Sequence, residues 1–346
     1  MSAAGGATAS GAPAGVDGVE AIMRRGGEEL RERMARTELY LERVTARAGE
    51  PLARHASATI TAGGKRLRPL LVLLAAESAG GPAGTIRGEE SLVRAAVAVE
   101  LVHSATLVHD DLIDGARLRR GRPTVAAVAG REAAIATGDL LFSLAFAELA
   151  RNDSVSQLRA LSDASSALAA GELLQREDAY ASHVAVERYL RRCELKTAAL
   201  FEAACRLGAL TAVHGSDALA NELGSFARRI GLAFQMLDDV LDVSGPVERT
   251  GKARGTDLLE GTVTLPLILA RERERDLACF ELGSLSDPAQ AEELCERIAA
   301  TGALDEAREQ ALAVVAEAKS RLPDTLGDGR AALLDLVADA VVERYR

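Results

Sequence analysis

Two clusters of aspartates have the residue types and the spacing of a metal-binding site. Each has the pattern Asp-Asp-x-x-Asp, first in LVHDDLID and again in FQMLDDVLD. The six carboxylates belong to Asp110, Asp111, Asp114, Asp238, Asp239 and Asp242. On a helix, the first and last aspartate of a cluster lie one turn apart on the same face. Oxygen-only ligands suit a hard ion such as Mg²⁺, which bridges protein carboxylates to substrate phosphates.

The position of the aspartate clusters favours metal binding over the alternative that they are solvent-exposed acidic helix ends. Both clusters follow an apolar helical stretch, where carboxylates oppose the helix dipole unless positive charge arrives. His109 precedes the first cluster but projects from a different helix face than Asp110 and Asp114. One cluster alone could simply aid solubility, whereas its repetition favours metal binding.

Basic residues gather at two places in this otherwise acidic chain. The first is GGKRLRP, in which Lys65, Arg66 and Arg68 follow two glycines and precede an apolar helix. The second is GARLRRGRPT, directly after the first aspartate cluster, with Arg117, Arg119, Arg120 and Arg122. Such crowded cations repel one another unless an anion lies between them, and arginine suits bidentate phosphate contacts. Either run alone could be a solvated turn, but beside a metal site both predict diphosphate binding.

Other polar positions interrupt apolar stretches and are candidates for a cavity wall. Lys196 and Thr197 stand within CELKTAALFEAAC, and Gln235 stands close to one turn before Asp238. An exposed lysine and a threonine bonded to its own helix are the ordinary alternatives. After the second cluster, TGKARGTDLLEGTVTLP carries Lys252 among glycines that let the backbone move or approach a ligand. This segment is typical of a closing lid.

The elements that must position these residues are helices. From about residue 19 onward, apolar residues recur at helical spacing, and alternating strand patterns are missing. Glycine and proline divide this rhythm into segments, of which the important ones cover 91–115, 131–151, 186–210 and 217–243. The sequence therefore predicts an all-α fold, a single large bundle of about ten or more helices around a central cavity. We expect one domain over residues 19–346 after a disordered tail over 1–18.

Composition and charge argue against several classes of protein. A net charge of −10 and an isoelectric point near 5.2 disfavour a nucleic-acid surface, which needs an excess of lysine and arginine. No uncharged apolar stretch is long enough for a membrane span, and residues 1–18 lack the basic residues of a targeting signal. Four widely spaced cysteines, Cys193, Cys205, Cys279 and Cys295, predict reduced thiols and a cytoplasmic location.

From about residue 20 onward, the chain resembles the trans-isoprenyl diphosphate synthases, or polyprenyl synthetase family. The motifs are GGKRLRP, HDDLIDGARLRRGRPT, GDLLF, LKTAALF, FQMLDDVLD, and then GK, DLLEG and TLP. They occur in the order and at the separations of the family, and their combination carries the resemblance. It implies the all-α isoprenoid synthase fold and condensation of isopentenyl diphosphate with an allylic diphosphate.

The resemblance also assigns roles to individual residues. The two aspartate clusters would bind about three Mg²⁺ ions that hold the allylic diphosphate. Arg119, Lys196 and Lys252 would contact the same diphosphate, while Thr197 and Gln235 would lie beside the allylic carbons. The pocket for isopentenyl diphosphate would consist of Lys65, Arg68, His103 and Arg120, although His103 could also be an ordinary residue of an apolar helix.

Product length should depend on the apolar tunnel that runs upstream of the first cluster. Short-chain members of the family typically have bulky residues there, whereas this chain has the small Ala105 and Thr106. We therefore expect a product longer than the geranylgeranyl chain. Phe142 or Phe146 could form the tunnel floor, although both could be plain core residues. The family often has lysine at the position of Thr262, so electrostatic assistance there should be weaker.

Alternative functions remain open on the sequence alone. A geranylgeranyl diphosphate synthase would need only a shorter tunnel. A terpene cyclase usually mixes Asn, Ser or Thr with Glu in its second metal motif, whereas this chain repeats aspartate. A non-catalytic partner subunit would not need intact metal clusters. The resemblance further implies a homodimer, and a long apolar product predicts peripheral membrane contact during its release.

Overall fold

The computed structural model describes residues 16–245, 254–322, 326 and 328–343. Its long helices are α1 (Val16–Arg25), α2 (Gly27–Ala46), α3 (Leu52–Thr61), α4 (Leu67–Ser78), α5 (Ile86–Ile113), α6 (Val125–Ala150), α7 (Val155–Glu177), α8 (Val186–Cys193), α9 (Ala199–Thr211) and α10 (Asp217–Ser244). The later helices are α11 (Thr256–Leu259), α12 (Leu265–Arg273), α13 (Arg275–Ala278), α14 (Pro288–Ala300), α15 (Ala303–Ser320) and α16 (Asp328–Glu343). The predicted all-α fold is confirmed.

One small hairpin breaks the helical pattern of the described residues. Strands β1 (Leu118–Arg119) and β2 (Arg122–Pro123) pair antiparallel directly after α5. Arg120 takes a positive φ of 52° in the turn between them. No alternating apolar pattern marks strands this short, which is why periodicity predicted none.

The core is formed by the long middle helices. α5 packs against α6 and α4, and α9 packs between α4 and α10. Alanine, leucine and valine dominate the fully buried side chains of these helices. Small side chains let helix axes approach closely, and the ends of the central helices then meet around a common space.

Several predicted boundaries shift when the structure is compared with the sequence pattern. α5 begins at Ile86 rather than near 91, because the hydroxyl of Thr85 caps it by accepting from the backbone N of Gly88. α1 begins at Val16, so the predicted tail over 1–18 includes three helical residues. The predicted start near 131 matches a break at Gly130, where φ is 87° within α6. Residues 1–15 lie outside the described part.

Two helices are long and apolar enough to span a membrane by length and composition alone, α5 and α6. The most apolar window of α5 is 78% buried inside the bundle, whereas that of α6 is only 39% buried. α5 is therefore a core helix, and α6 leaves an apolar face uncovered in a single chain.

Candidate active site

The two aspartate clusters lie at the carboxyl ends of α5 and α10 and share one cavity. Asp110 and Asp114 come from the end of α5, and Asp238 comes from near the end of α10. All three line a space of about 250 Å³, which we call the aspartate cavity. The tertiary fold thus brings together two stretches that are distant in sequence.

The six aspartates occupy different positions around this cavity. Asp239 lines it as well, but Asp111 lines a neighbouring cavity and pairs with Nε of Arg119 at 2.6 Å. The carboxylate of Asp242 accepts a hydrogen bond from the backbone N of Asp257 at 3.3 Å. The structure therefore puts four of the six predicted ligands in the wall and two outside it.

Asp239 is held in place by a chain of hydrogen bonds. It accepts from the hydroxyl of Tyr189 and from Nε2 of Gln235, both at 2.7 Å. Oε1 of Gln235 in turn accepts from the hydroxyl of Thr197 at 2.8 Å. Burial, together with the charge of Asp257, raises the pKa of Asp239 to about 7. The network fixes the orientation of Thr197 and Gln235 in the cavity wall.

Lys196 lies in a π-helical segment, Glu194–Ala198, between α8 and α9. Such segments are rare and frequently occur at functional sites, because the extra residue redirects side chains. Lys196 pairs with Glu172 of α7, which also accepts from Nε of Arg176 at 3.0 Å. A Cβ atom at Gly171 would lie 2.5 Å from the backbone N of Lys196, so only glycine permits this approach of α7.

Asp110 lies in a buried, charged environment at the end of α5. Burial raises its pKa to about 6, while the charge of Lys196 opposes that shift. Asp114 pairs with Arg176 of α7 at the cavity rim. Each carboxylate of α5 thus has a cation within reach, and the site as a whole combines both signs of charge.

Arg68, His103, Arg119 and Arg120 form a basic group that we call the arginine cluster. Burial lowers the pKa of His103 well below its usual value, and Arg68 and Arg120 lower it further by repulsion. Burial also lowers the pKa of Arg68 to about 10. The Arg120 guanidinium lies against Gly64, where a Cβ atom would meet Nη1 at 2.9 Å. A buried group of like charges is stabilised when an anion binds there.

Arg119 connects the two charged regions. It lines the aspartate cavity and also a second cavity of about 290 Å³ that contains Arg120, Arg122 and Asp111. An anion in either cavity would therefore be within reach of the same guanidinium. Two adjacent cavities thus share Arg119.

The basic run before α4 contains one structural residue, Arg66, and two candidates for phosphate binding, Lys65 and Arg68. Arg66 has a positive φ of 48° and donates to Glu38 at 2.6 Å and to Glu100 at 2.7 Å. Lys65 is exposed on the turn. Arg66 therefore stabilises the turn, whereas Lys65 and the buried Arg68 remain candidates for binding phosphate.

A third cavity, of about 350 Å³, shares Asp110 and Lys196 with the aspartate cavity and extends away from it. We call it the apolar cavity, and its remaining wall consists of Thr106, His109, Ile113, Phe142, Ser165, Leu168, Ala169, Glu172 and Leu173. An apolar chain attached to a diphosphate between the clusters could extend into this space.

The predicted chain-length residues differ in their relation to the apolar cavity. Thr106 and Phe142 line it. Ala105 is completely buried in the core and Phe146 packs against the core, and neither contributes to the cavity wall. The geometry therefore favours Thr106 and Phe142 over Ala105 and Phe146 as residues that limit product length.

Comparison with known proteins identifies the chain. A family model described as polyprenyl synthetase matches residues 50–300. The chain belongs to the polyprenyl synthetase family. It is therefore a prenyltransferase.

Individual relatives agree with this family. The chain is 38% identical to heptaprenyl diphosphate synthase component 2 of Geobacillus stearothermophilus, over 80% of this chain and 84% of that protein. It is also 38% identical to the geranylgeranyl diphosphate synthase of Methanosarcina mazei, over 85% and 90%. Polyprenyl synthase of Caulobacter crescentus, solved with calcium and isoprenyl diphosphate, superposes with a TM-score of 0.83 at 33% identity, covering 95% of this chain and 98% of that one.

Residues 257–264 contribute to one side of the aspartate cavity in this prenyltransferase. Asp257, Glu260 and Thr262 all line the cavity. Lys252, which the family resemblance assigns to the allylic diphosphate, lies outside the described residues. Asp257 and Glu260 stand within the DLLEG motif, but no pattern distinguishes them there, because isolated acidic residues are usually solvated.

Sequence reasoning also missed Arg192 and Tyr189 of α8. Both are buried, and Arg192 lines the aspartate cavity. They precede the recognised LKTAALF motif, and no spacing or clustering distinguishes them from the other polar residues of this helix. Only the packing of α8 against the end of α10 reveals their position.

The residues around the aspartate cavity fit Mg²⁺ as a shared ion rather than as a protein-only metal centre. Among the described residues, no three His, Cys, Asp or Glu side chains are grouped closely enough to hold a metal ion by themselves. The carboxylates are instead distributed around the wall, with Asp110 and Asp238 on different helices. Mg²⁺ is usually bound through one or two carboxylates together with substrate phosphates, which this distribution suits.

Proposed function

We propose that this chain is a Mg²⁺-dependent trans-polyprenyl diphosphate synthase that adds isopentenyl diphosphate head to tail to an allylic diphosphate. The observation that carries this proposal is the meeting of two aspartate-bearing helix ends across one cavity, beside the arginine cluster. The reaction requires three features: a site for the allylic diphosphate, a site for isopentenyl diphosphate, and an apolar space for the growing chain.

The aspartate cavity would bind the allylic diphosphate. Lys196 and Arg119 line it and would stabilise negative charge as the carbon–oxygen bond breaks and the diphosphate departs with the electron pair. When bound, Mg²⁺ would neutralise diphosphate charge and connect it to Asp110 and Asp238. Thr197 and Gln235 are oriented by the hydrogen bonds to Asp239, so their oxygen atoms can face the allylic cation.

Isopentenyl diphosphate would bind to the arginine cluster together with Lys65. His103 remains neutral there because of burial and the surrounding cations, and a neutral imidazole can donate one hydrogen bond to phosphate. The alkene carbon held about 3 to 3.5 Å from the allylic carbon forms the new carbon–carbon bond. The resulting cation then loses a proton to restore an alkene, and the departed diphosphate can accept that proton.

We further propose a product longer than the geranylgeranyl chain. Relatives named for heptaprenyl and geranylgeranyl products match at the same identity, so overall similarity does not select a length. The support comes from the apolar cavity, which begins at Asp110 and is lined by the small Thr106 on α5. Geranylgeranyl diphosphate remains the alternative product if Phe142 closes the cavity early.

A second candidate is a subunit of a synthase with two components. The Geobacillus relative is named component 2 of its synthase, so that protein is one part of an assembly. The described part of this chain has carboxylates and cations around one cavity, which favours activity of the chain alone. A homodimer and a cytoplasmic location remain predictions.

The test is an assay of the purified full-length chain with isopentenyl diphosphate and farnesyl diphosphate, with products identified by mass spectrometry. We expect linear polyprenyl diphosphates with Mg²⁺ and no turnover with excess chelator. Asp110→Asn and Asp238→Asn should each lower kcat by about 100-fold or more, because a carboxylate ligand of the Mg²⁺ that would hold the diphosphate is lost. Asp163→Asn on the exposed side of α7 is the matched control and should leave kcat unchanged.

Three outcomes would contradict parts of the proposal. A cyclic hydrocarbon would make the protein a cyclase. Turnover only after addition of a second protein would favour the two-component synthase. Full activity of both Asp110→Asn and Asp238→Asn would contradict the assignment of the aspartate cavity.

A further inference from the structure

Arg192 is a buried cation in the wall of the aspartate cavity. It is the penultimate residue of α8 and is only 3% exposed. It lines the same cavity as Asp110 and Asp238. Arginine carries five N–H donors and remains charged at all ordinary pH values. Burial of this side chain therefore requires acceptors for its donors.

The contacts of Arg192 leave part of its guanidinium without an acceptor. Nη2 donates to the backbone carbonyl of Val263 at 2.7 Å, and the guanidinium lies 5.3 Å from the ring centroid of Tyr189. Nη1 is buried and has no hydrogen-bond partner in the part of the chain that the structure describes. The side chain is thus fixed at one end and has a donor available at the other.

The nearby carboxylates do not neutralise this charge. No ion pair joins Arg192 to an acidic side chain among the described residues, although Asp239 is close enough for Arg192 to oppose the rise of its pKa. Both oxygens of Asp239 already accept hydrogen bonds, from Tyr189 and Gln235. Nη1 has no acceptor among the described residues, and a ligand in the aspartate cavity, whose wall includes Arg192, would supply one.

Arg192 lies next to an uncharged part of the cavity wall, at Thr262. Lys196 and Arg119 supply cations to its wall. Thr262 lines the wall as well but carries only a hydroxyl, and its neighbour Val263 is the residue that anchors Arg192. The charge of Arg192 therefore lies at the part of the wall where Thr262 contributes none.

We propose that Arg192 binds the diphosphate of the allylic substrate through its free Nη1 group and supplies the positive charge that Thr262 lacks. This inference rests on the proposed function, because it takes the aspartate cavity as the site of that diphosphate. Guanidinium donors suit phosphate oxygens, and a donor fixed in place by Val263 loses little further freedom on binding.

The test measures binding rather than turnover, by calorimetric titration of the full-length chain with inorganic diphosphate in the presence of Mg²⁺. Arg192→Gln retains a donor for the carbonyl of Val263 but removes the charge, and it should raise the Kd for diphosphate about tenfold or more. Arg191→Gln makes the same change one position away, where the side chain is exposed and pairs with Glu194. This control should bind diphosphate as the unaltered chain does.

A rescue experiment separates a binding role from a purely structural one. Thr262→Lys added to Arg192→Gln puts a cation back on the same part of the wall, and it should recover most of the lost affinity. Unchanged Kd in Arg192→Gln would overturn the proposal. So would a weakened Kd that Thr262→Lys fails to restore, since that result indicates lost packing.

If Arg192→Gln does not fold, Thr262→Lys in the otherwise unaltered chain decides the matter. The proposal puts the diphosphate within reach of both positions, so this variant should lower the Kd, and an unchanged or higher Kd would overturn it. The proposed function is tested separately by prenyl transfer in the unaltered chain. A chain that binds diphosphate through Arg192 yet transfers no prenyl group would contradict that function alone.

Discussion

Residues of the same type have different roles in this site, and their contacts distinguish them. Asp110, Asp238 and Asp239 all line the aspartate cavity, but Asp239 also accepts hydrogen bonds from Tyr189 and Gln235 and orients Gln235. Asp111 pairs with Arg119 outside the cavity. The Asp-Asp-x-x-Asp pattern predicts that carboxylates gather, but side-chain partners decide which of them can reach a ligand.

His103 gives a prediction about pH at the residue scale. Its pKa is far below the value of about 6.5 that it has in an unfolded chain, because of burial and the charges of Arg68 and Arg120. As pH falls through that value, the unfolded chain takes up a proton and the folded chain does not. The contribution of His103 to stability is therefore fully present above this range and decreases below it.

The measurement is the free energy of unfolding by denaturant for the unaltered chain and for His103→Gln at about pH 7.5 and pH 5.5. Between these values the unaltered chain should lose about 1 kcal/mol more than the variant, which cannot take up the proton. His183→Gln changes an exposed histidine and should keep the behaviour of the unaltered chain. Equal losses in all three proteins would show that His103 does not remain neutral in the fold.

At the scale of the element, the packing of two helices determines where Lys196 lies. The π-helical segment Glu194–Ala198 interrupts the path from α8 to α9, and Gly171 lets α7 approach its backbone. Apolar periodicity predicts one continuous helix over 186–210, because a single extra residue does not disturb the pattern enough to be recognised. The redirected side chain is visible only in three dimensions.

α6 carries the two phenylalanines that the sequence proposes as a tunnel floor, and the structure distinguishes them. Phe142 lines the apolar cavity, and its ring centroid lies 6.0 Å from that of His109. Phe142→Ala should remove this obstacle and shift the product distribution to longer chains, measured by mass spectrometry of the extracted diphosphates.

Phe146→Ala is the matched control, because it truncates the same side chain one turn further along α6 without altering the cavity wall. It should lower the melting temperature but leave the product lengths as they are. A longer product from Phe146→Ala, with no change from Phe142→Ala, would mean that the chain grows along a different path.

At the scale of the whole molecule, the uncovered apolar face of α6 predicts contact with a second copy of the chain. Its most apolar window is only 39% buried, although it is as apolar as the 78% buried window of α5. Val128 and Ile135 are both exposed on this helix, one on each side of the break at Gly130. An exposed apolar helix face of this length is typical of a protein interface.

We expect sedimentation equilibrium to show a homodimer and Ile135→Glu to shift it towards monomer, since a buried unpaired charge at an interface is costly. Leu39→Glu is the comparison, because it puts the same charge on an exposed apolar residue of α2. A monomeric unaltered chain would contradict the homodimer. A dimer that persists in Ile135→Glu would exclude this face as its interface.

The sequence by itself determined the fold class, the family and the identity of most charged residues in the site. Helical periodicity survives single substitutions, and the repeated aspartates and the basic run before α4 are local patterns that one chain displays in full. Long-range contacts decided the rest. Arg66 stabilises a turn because it donates hydrogen bonds to Glu38 and Glu100. Arg192 lines the aspartate cavity because α8 packs beside the end of α10. Such pairings depend on distances between distant segments, which spacing along the chain does not encode.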